Sequence, residues 1–189
     1  MVDNAPPAGH RDNDAAVEEV KTEIVGAIGS AVSSTAVTIA RPAQELWRYW
    51  RNFGNLASFM ENVERIDVLD QNRSHWVVKA PAGQSVEWTA RVTEEVEGQF
   101  ISWASEPDAD VANSGKVEFC EAGARGTVVT ATLVYDPPAG AIGKLVAKLF
   151  QREPAIQARR DLRRFKQLME TGEIAVAART LAMCDKERN

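Results

Sequence analysis

A chain of 189 residues, 44% hydrophobic and 26% charged, has the make-up of one ordinary globular domain with tails rather than of a membrane-embedded or disordered protein. Its formal net charge of −5 argues against a broad basic face for nucleic acid. Two cysteines, Cys120 and Cys184, and two histidines, His10 and His75, offer neither a disulfide framework nor metal-ligand spacing. No metal or cofactor is therefore expected, and a reducing cytoplasm is the simplest home.

Residues 1–33 read as a leader. Its first 13 residues are rich in Pro, Gly and Asn/Asp and are expected to be disordered. The start lacks the basic-then-apolar order of a signal peptide, and the apolar run 24–32 is far shorter than the roughly 20 residues that span a bilayer. Val17, Val20, Ile24 and Ile28 recur at helical spacing, but Gly26, Gly29, Ser30, Ser33 and Ser34 weaken the end, giving a marginal helix and a linker.

A domain over 34–173 follows. Val37 and Ile39 alternate with polar neighbours as in a half-buried strand. Pro42 suits a first helical turn, Leu46, Trp47, Trp50 and Phe53 follow at helical spacing, and Gly54 is a natural stop. "NLASFM" reads as a second short helix. Six short strands then succeed one another, "VERIDVLD", "HWVVKA", "SVEWTARVTEEV", "FISWAS", "GKVEFCE" and "TVVTATLVYDPP", divided by turns such as "QNRS" and "AGARG". That rhythm predicts an antiparallel meander.

Beyond it the pattern is helical and changes phase. Ile142, Leu145 and Leu149 form one stripe; Ala158, Leu162, Phe165 and Met169 form another, roughly opposite. Pro154 stands between them, which predicts helices over 141–151 and 154–171, the second closed by Gly172. Residues 174–189 form a tail.

Strand parity assigns Val86, Trp88, Ala90 and Val92 to one face and Glu87, Thr89, Arg91 and Thr93 to the other. Val117 and Phe119 oppose Glu118 and Cys120; Ile101 and Trp103 oppose Phe100, Ser102 and Ala104; Val129, Ala131, Leu133 and Tyr135 share the apolar side. One wet and one apolar face require a cover, which the second helix supplies. Aromatics beside small residues on that face leave two readings open, a dense core or a cavity.

Taken together, "ARPAQELWRYWRNFGNLASFM", "VEWTARV", "ISWAS", "GKVEF", "GTVVTATLVYDPPAG" and "DLRRFKQLMETGE" resemble the START/SRPBCC superfamily, in particular its polyketide cyclase/dehydrase and coenzyme Q-binding group. The resemblance runs from about residue 35 to 173. It implies an α+β helix-grip fold, a curved antiparallel sheet wrapped around a long C-terminal helix. It also implies a pocket between sheet and helix for a lipid-, polyketide- or quinone-like molecule. On that basis the candidate lining is Trp50, Phe53, Phe59, Trp76, Trp88, Trp103, Phe119, Tyr135 and Phe165. The apolar segment 137–150 is a candidate entrance.

Acid–base groups at inward parity are few. His75 has the opposite parity to Trp76, and Arg91 and Glu87 belong to the wet face, so Tyr135 is the best inward hydroxyl. The basic run 158–166 reads as a solvated helix face, with transient contact with anionic head groups as its lesser reading. Three functions stay open: a noncatalytic binder of a hydrophobic small molecule, a polyketide cyclase/dehydratase-type enzyme, and a structural or stress-associated domain with a closed core. The residues do not specify an oligomeric state.

Overall fold

The computed structural model describes residues 31–80, 83–136 and 154–174. The expected leader helix, the helix over 141–151, the entrance segment and all but the first residue of the tail lie outside the described residues. Strand β1 (Ala31–Ile39) leads into helix α1 (Ala43–Arg51) and a 3₁₀ segment (Phe53–Ser58). Strands β2 (Val63–Val68), β3 (Arg73–Ala80), β4 (Gln84–Val96), β5 (Phe100–Ser105), β6 (Ala112–Glu121) and β7 (Thr127–Asp136) follow, and helix α2 (Pro154–Thr171) comes last. The sheet order is β1-β7-β6-β5-β4-β3-β2, with every neighbouring pair antiparallel. This curved sheet gripping α2 is an α+β helix-grip fold. No helix among the described residues is long and apolar enough to cross a membrane.

Local sequence explains most of these boundaries. Pro42 precedes α1 in extended conformation and its carbonyl accepts the first helical N–H groups. The helix stops at Arg51, short of Gly54, and the first four residues of "NLASFM" close the 3₁₀ segment instead of forming a second α-helix. Helix α2 ends as its sequence predicts. Gly172 takes φ +77°, and its N–H reaches the Leu168 carbonyl at 2.8 Å. Strand β1 begins earlier than expected, at Ala31. Ser33 and Thr35, read as linker or boundary residues, are buried members of that strand because they stand opposite Leu133 and Ala131 of β7.

Strand parity is obeyed in β6 and in β4 as far as Val92, whereas in β3 and β7 both faces are partly covered, so that Val77 is buried beside Val78 and Val134 beside Tyr135. Val86 and Ala90 are buried while Glu87 and Arg91 are exposed, and Val117 and Phe119 are buried while Cys120 is exposed. Besides a register shift between Val63 and Arg65 in the β2–β3 pair, an irregularity between β4 and β5 resets it. The register runs Val92↔Trp103 and then Glu94↔Ser102, so Thr93 is an extra residue, a β-bulge. Past it, Glu95 pairs with inward Ile101 and meets Arg51 of α1 in an ion pair, while Val96 turns outward and is exposed.

The core between sheet and helices is closed most firmly around Trp50, Phe59, Phe119 and Phe165. Ring centroids are 4.9 Å apart for Phe59–Phe165 and 5.2 Å for Trp50–Phe165, the latter edge-on. Near this cluster α2 is fastened to the end of β1. Lys166 Nζ donates to the Thr38 carbonyl at 2.6 Å and pairs with Glu170. The Glu170 carboxylate accepts the Ala40 N–H, and Arg41 Nε donates to the Met169 carbonyl. The Ala40 and Lys166 donors hold the Glu170 carboxyl below its ordinary value.

Candidate ligand cavity

Away from that cluster the same sheet face opens into a cavity of about 230 Å³. A void of that size holds several waters, each about 30 Å³ in the liquid, and approaches the lower end, roughly 300 Å³, of small-molecule sites. Its floor is built from aromatic residues of β3, β4 and β5. Trp76 and Trp88 are direct cross-strand partners whose rings stack nearly parallel, 6.2 Å apart and 7° from coplanar. The Trp76 indole N–H donates to Ser74 Oγ at 2.9 Å, which satisfies its one polar atom. Trp103 lies over Gly115 of β6, its cross-strand partner. A Cβ at that position would collide with the indole and stand 2.6 Å from the Thr132 carbonyl oxygen. Gly115 therefore gives Trp103 room to lie flat.

Small residues make the hollow. Ala90 and Ala131 occupy inward positions where the closed end carries Val117, Val129 and Phe119. The wall draws on the main core through Trp50, Phe53 and Leu162, and on a separate small cluster through Val78, Val111 and Trp88.

Of the nine aromatic candidates, Trp50, Phe53, Trp76, Trp88, Trp103 and Tyr135 line this cavity. Phe59, Phe119 and Phe165 do not; they are almost wholly buried in the closed cluster, because their positions just after the 3₁₀ segment, on β6 and on α2 converge there. Trp50 belongs to both, dividing the closed end from the open one. Tyr135 stands opposite Asn113 in the β6–β7 ladder, and burial raises its phenol pKa. Asn113 also reaches the wall and is held by its own hydrogen bonds to Val111 and Ser105.

His75 faces the opposite side of the sheet, bonded to Glu87 and Thr89, as its parity predicts. Arg91 is exposed beside its register partner Arg73, and though it borders the cavity its parity sends the side chain to the convex face. Among the described residues no cluster of His, Cys, Asp and Glu is arranged to hold a metal ion.

The basic run divides differently from the expectation of a solvated face. Arg159, Arg160 and Arg163 are exposed, but Lys166 is spent on β1, and Asp161 and Gln157 turn into the cavity wall. Asp161 Oδ1 accepts from the Glu61 N–H at 3.2 Å and from Gln157 Nε2 at 3.1 Å. Burial pushes its carboxyl up to about 6 against those two hydrogen bonds. Strand parity and the reading of the basic run do not single this residue out. Helical spacing contains the signal, since Asp161 is three residues beyond Ala158 and four before Phe165, on the flank of the apolar stripe.

A family profile described as polyketide cyclase/dehydrase and lipid transport matches residues 39–163. The chain belongs to this family. Among solved structures, a Deinococcus radiodurans protein shares 40% identity, with 76% of this chain and 100% of that chain covered, at a TM-score of 0.61. A Thermus thermophilus protein shares 24% identity over 72% of this chain and 95% of that one, at a TM-score of 0.62. The Zhui aromatase/cyclase of a Streptomyces species is 16% identical, with 77% and 99% covered and a TM-score of 0.59, a likeness of fold. A search of curated proteins finds no match. Within this polyketide cyclase/dehydrase and lipid transport family, the residues matched by the profile include every cavity-lining element from α1 to the first half of α2.

Proposed function

We propose that this chain binds a hydrophobic small molecule, lipid-, polyketide- or quinone-like, in the cavity between sheet and α2. The observation that carries the reading is the tryptophan-floored cavity itself: mostly apolar, about 230 Å³, and set beside a closely packed aromatic cluster. Its size favours a guest of one or two rings over a long extended chain. An unfilled interior weighs against the closed-core structural domain.

The test is native mass spectrometry and solvent extraction of the purified protein, together with tryptophan fluorescence titrated with an apolar ring compound such as naphthalene. A copurifying apolar compound or saturable quenching supports binding. Repeated blanks in both sink it. Cyclase or dehydratase chemistry is the second reading, and Asp161 is the observation that favours it, a carboxyl in the cavity wall with a pKa of about 6. Turnover of a poly-β-ketone, lost in Asp161→Asn and in Tyr135→Phe, distinguishes an enzyme from a carrier.

A further inference from the structure

We propose that the Asp161 carboxyl is the polar recognition point of the cavity, and that it selects an apolar guest bearing an O–H or N–H donor and rejects anions such as fatty acids. This rests on the binding reading above and specifies its ligand.

The two oxygens of Asp161 are not equivalent. Both donors, the Glu61 N–H and Gln157 Nε2, converge on Oδ1. Oδ2 has no hydrogen-bond partner among the described residues. Nor is it sealed away like Ser33 Oγ and Arg164 Nε, which are buried without partners among the described residues. Asp161 thus brings an acceptor oxygen without a partner among the described residues to the wall of a largely apolar space. Its lone pairs can accept from a guest's donor.

Asn62 and Tyr135 also border the cavity, while several of the other polar groups on the wall are committed elsewhere. The Asn113 amide is tied to Val111, and Ser74 Oγ to the Trp76 indole. The charges acting on Asp161 are Glu61, from the loop before β2, and Arg164 on its own helix, and they act in opposite senses. Arg91, on the convex face, brings no compensating cation inside. An anionic guest would therefore set a second negative charge against Asp161 in a poorly solvated space. A neutral donor instead forms a charge-assisted hydrogen bond to the carboxylate and favours its ionised form.

The experiment uses three naphthalenes of nearly equal apolar area with the full chain at pH 7.5: 2-naphthol, 2-methoxynaphthalene and 2-naphthoate. The expected order is naphthol tightest, by at least about tenfold over the ether, with naphthoate weakest. Asp161→Asn should remove most of the naphthol advantage while leaving the ether within about twofold. The pH dependence within each protein guards against a folding defect. Naphthoate should tighten from pH 7.5 to pH 5 by several-fold more in the parent than in Asp161→Asn, where only the probe's own protonation contributes. Equal binding of naphthol and ether, or naphthoate as the best ligand at pH 7.5, overturns this inference alone. So does an equal loss of all three probes in the Asn variant. Failure of every probe to bind overturns the binding reading and this inference together.

Discussion

The two ends of the sheet–helix interface are made from the same sheet face and the same helix, yet one is packed solid and the other is hollow. At the closed end Phe59, Phe119, Phe165 and Trp50 interlock, and α2 is bonded to β1 through Lys166, Glu170 and Arg41. At the open end Trp76 and Trp88 stack on each other and Trp103 lies over Gly115, while the small Ala90 and Ala131 leave room beside them. Aromatic content is similar at both ends. What differs is whether the facing helix presents a ring, Phe165, or the short side chains Ala158 and Asp161.

Substitutions at the two ends should therefore separate stability from binding. The largest effect is expected for Phe165→Ala, which removes a wholly buried ring from the closed end and should cost about 3–5 kcal/mol in chemical denaturation. Probe affinity per folded molecule should change much less.

Asp161→Asn at the open end should act in the opposite direction. The folded-state carboxyl titrates at about 6 against an ordinary value of 3.8, so folding disfavours its charged form. That penalty is absent below about pH 4, grows as pH rises, and is complete above about pH 6, reaching roughly 3 kcal/mol. The Asn variant keeps an Oδ1 acceptor for Glu61 and Gln157. It should be more stable than the parent by up to that amount at about pH 8 and equal to it near pH 3.5, as a pair of pH-dependent unfolding curves would show.

Gly115→Ala comes next. The added methyl meets the Trp103 indole and a backbone carbonyl, so the indole must lift into the cavity at a cost of about 1–3 kcal/mol. A shifted tryptophan emission maximum and weaker probe binding should accompany it. The smallest change in stability is expected for Ala131→Leu, about 1 kcal/mol or less because the extra atoms enter a void, although probe binding should be largely lost. If Ala131→Leu instead destabilises as much as Phe165→Ala, the open end is not a hollow and the contrast fails.

Much of this arrangement is legible in the residues. Alternation in "SVEWTARV" and "KVEF" places Trp88, Ala90, Val117 and Phe119 on one face because a regular strand leaves no other option. Pro154 and Gly172 mark the limits of α2 through backbone chemistry alone. Three things are not legible. Core and cavity aromatics look alike in a linear pattern, since the distinction depends on what faces them from another element; Phe165 and Trp103 are the example. Asp161 is hidden by its neighbours, because a charged run reads as solvated unless each helical angle is followed individually. The early start of β1 is obscured by serines, whose burial depends on partners in β7 nearly a hundred residues away.

The bulge at Thr93 carries a consequence of its own. By taking Thr93 out of the ladder it keeps the rest of β4 in step with β5: Glu95 sits beneath α1 to pair with Arg51, and Val96 looks out to solvent. Were Thr93 to take a regular place in the ladder instead, the two would swap sides, turning the valine inward and stranding the arginine without its counter-ion, though no residue had been altered. At this point in the chain, counting matters more than composition.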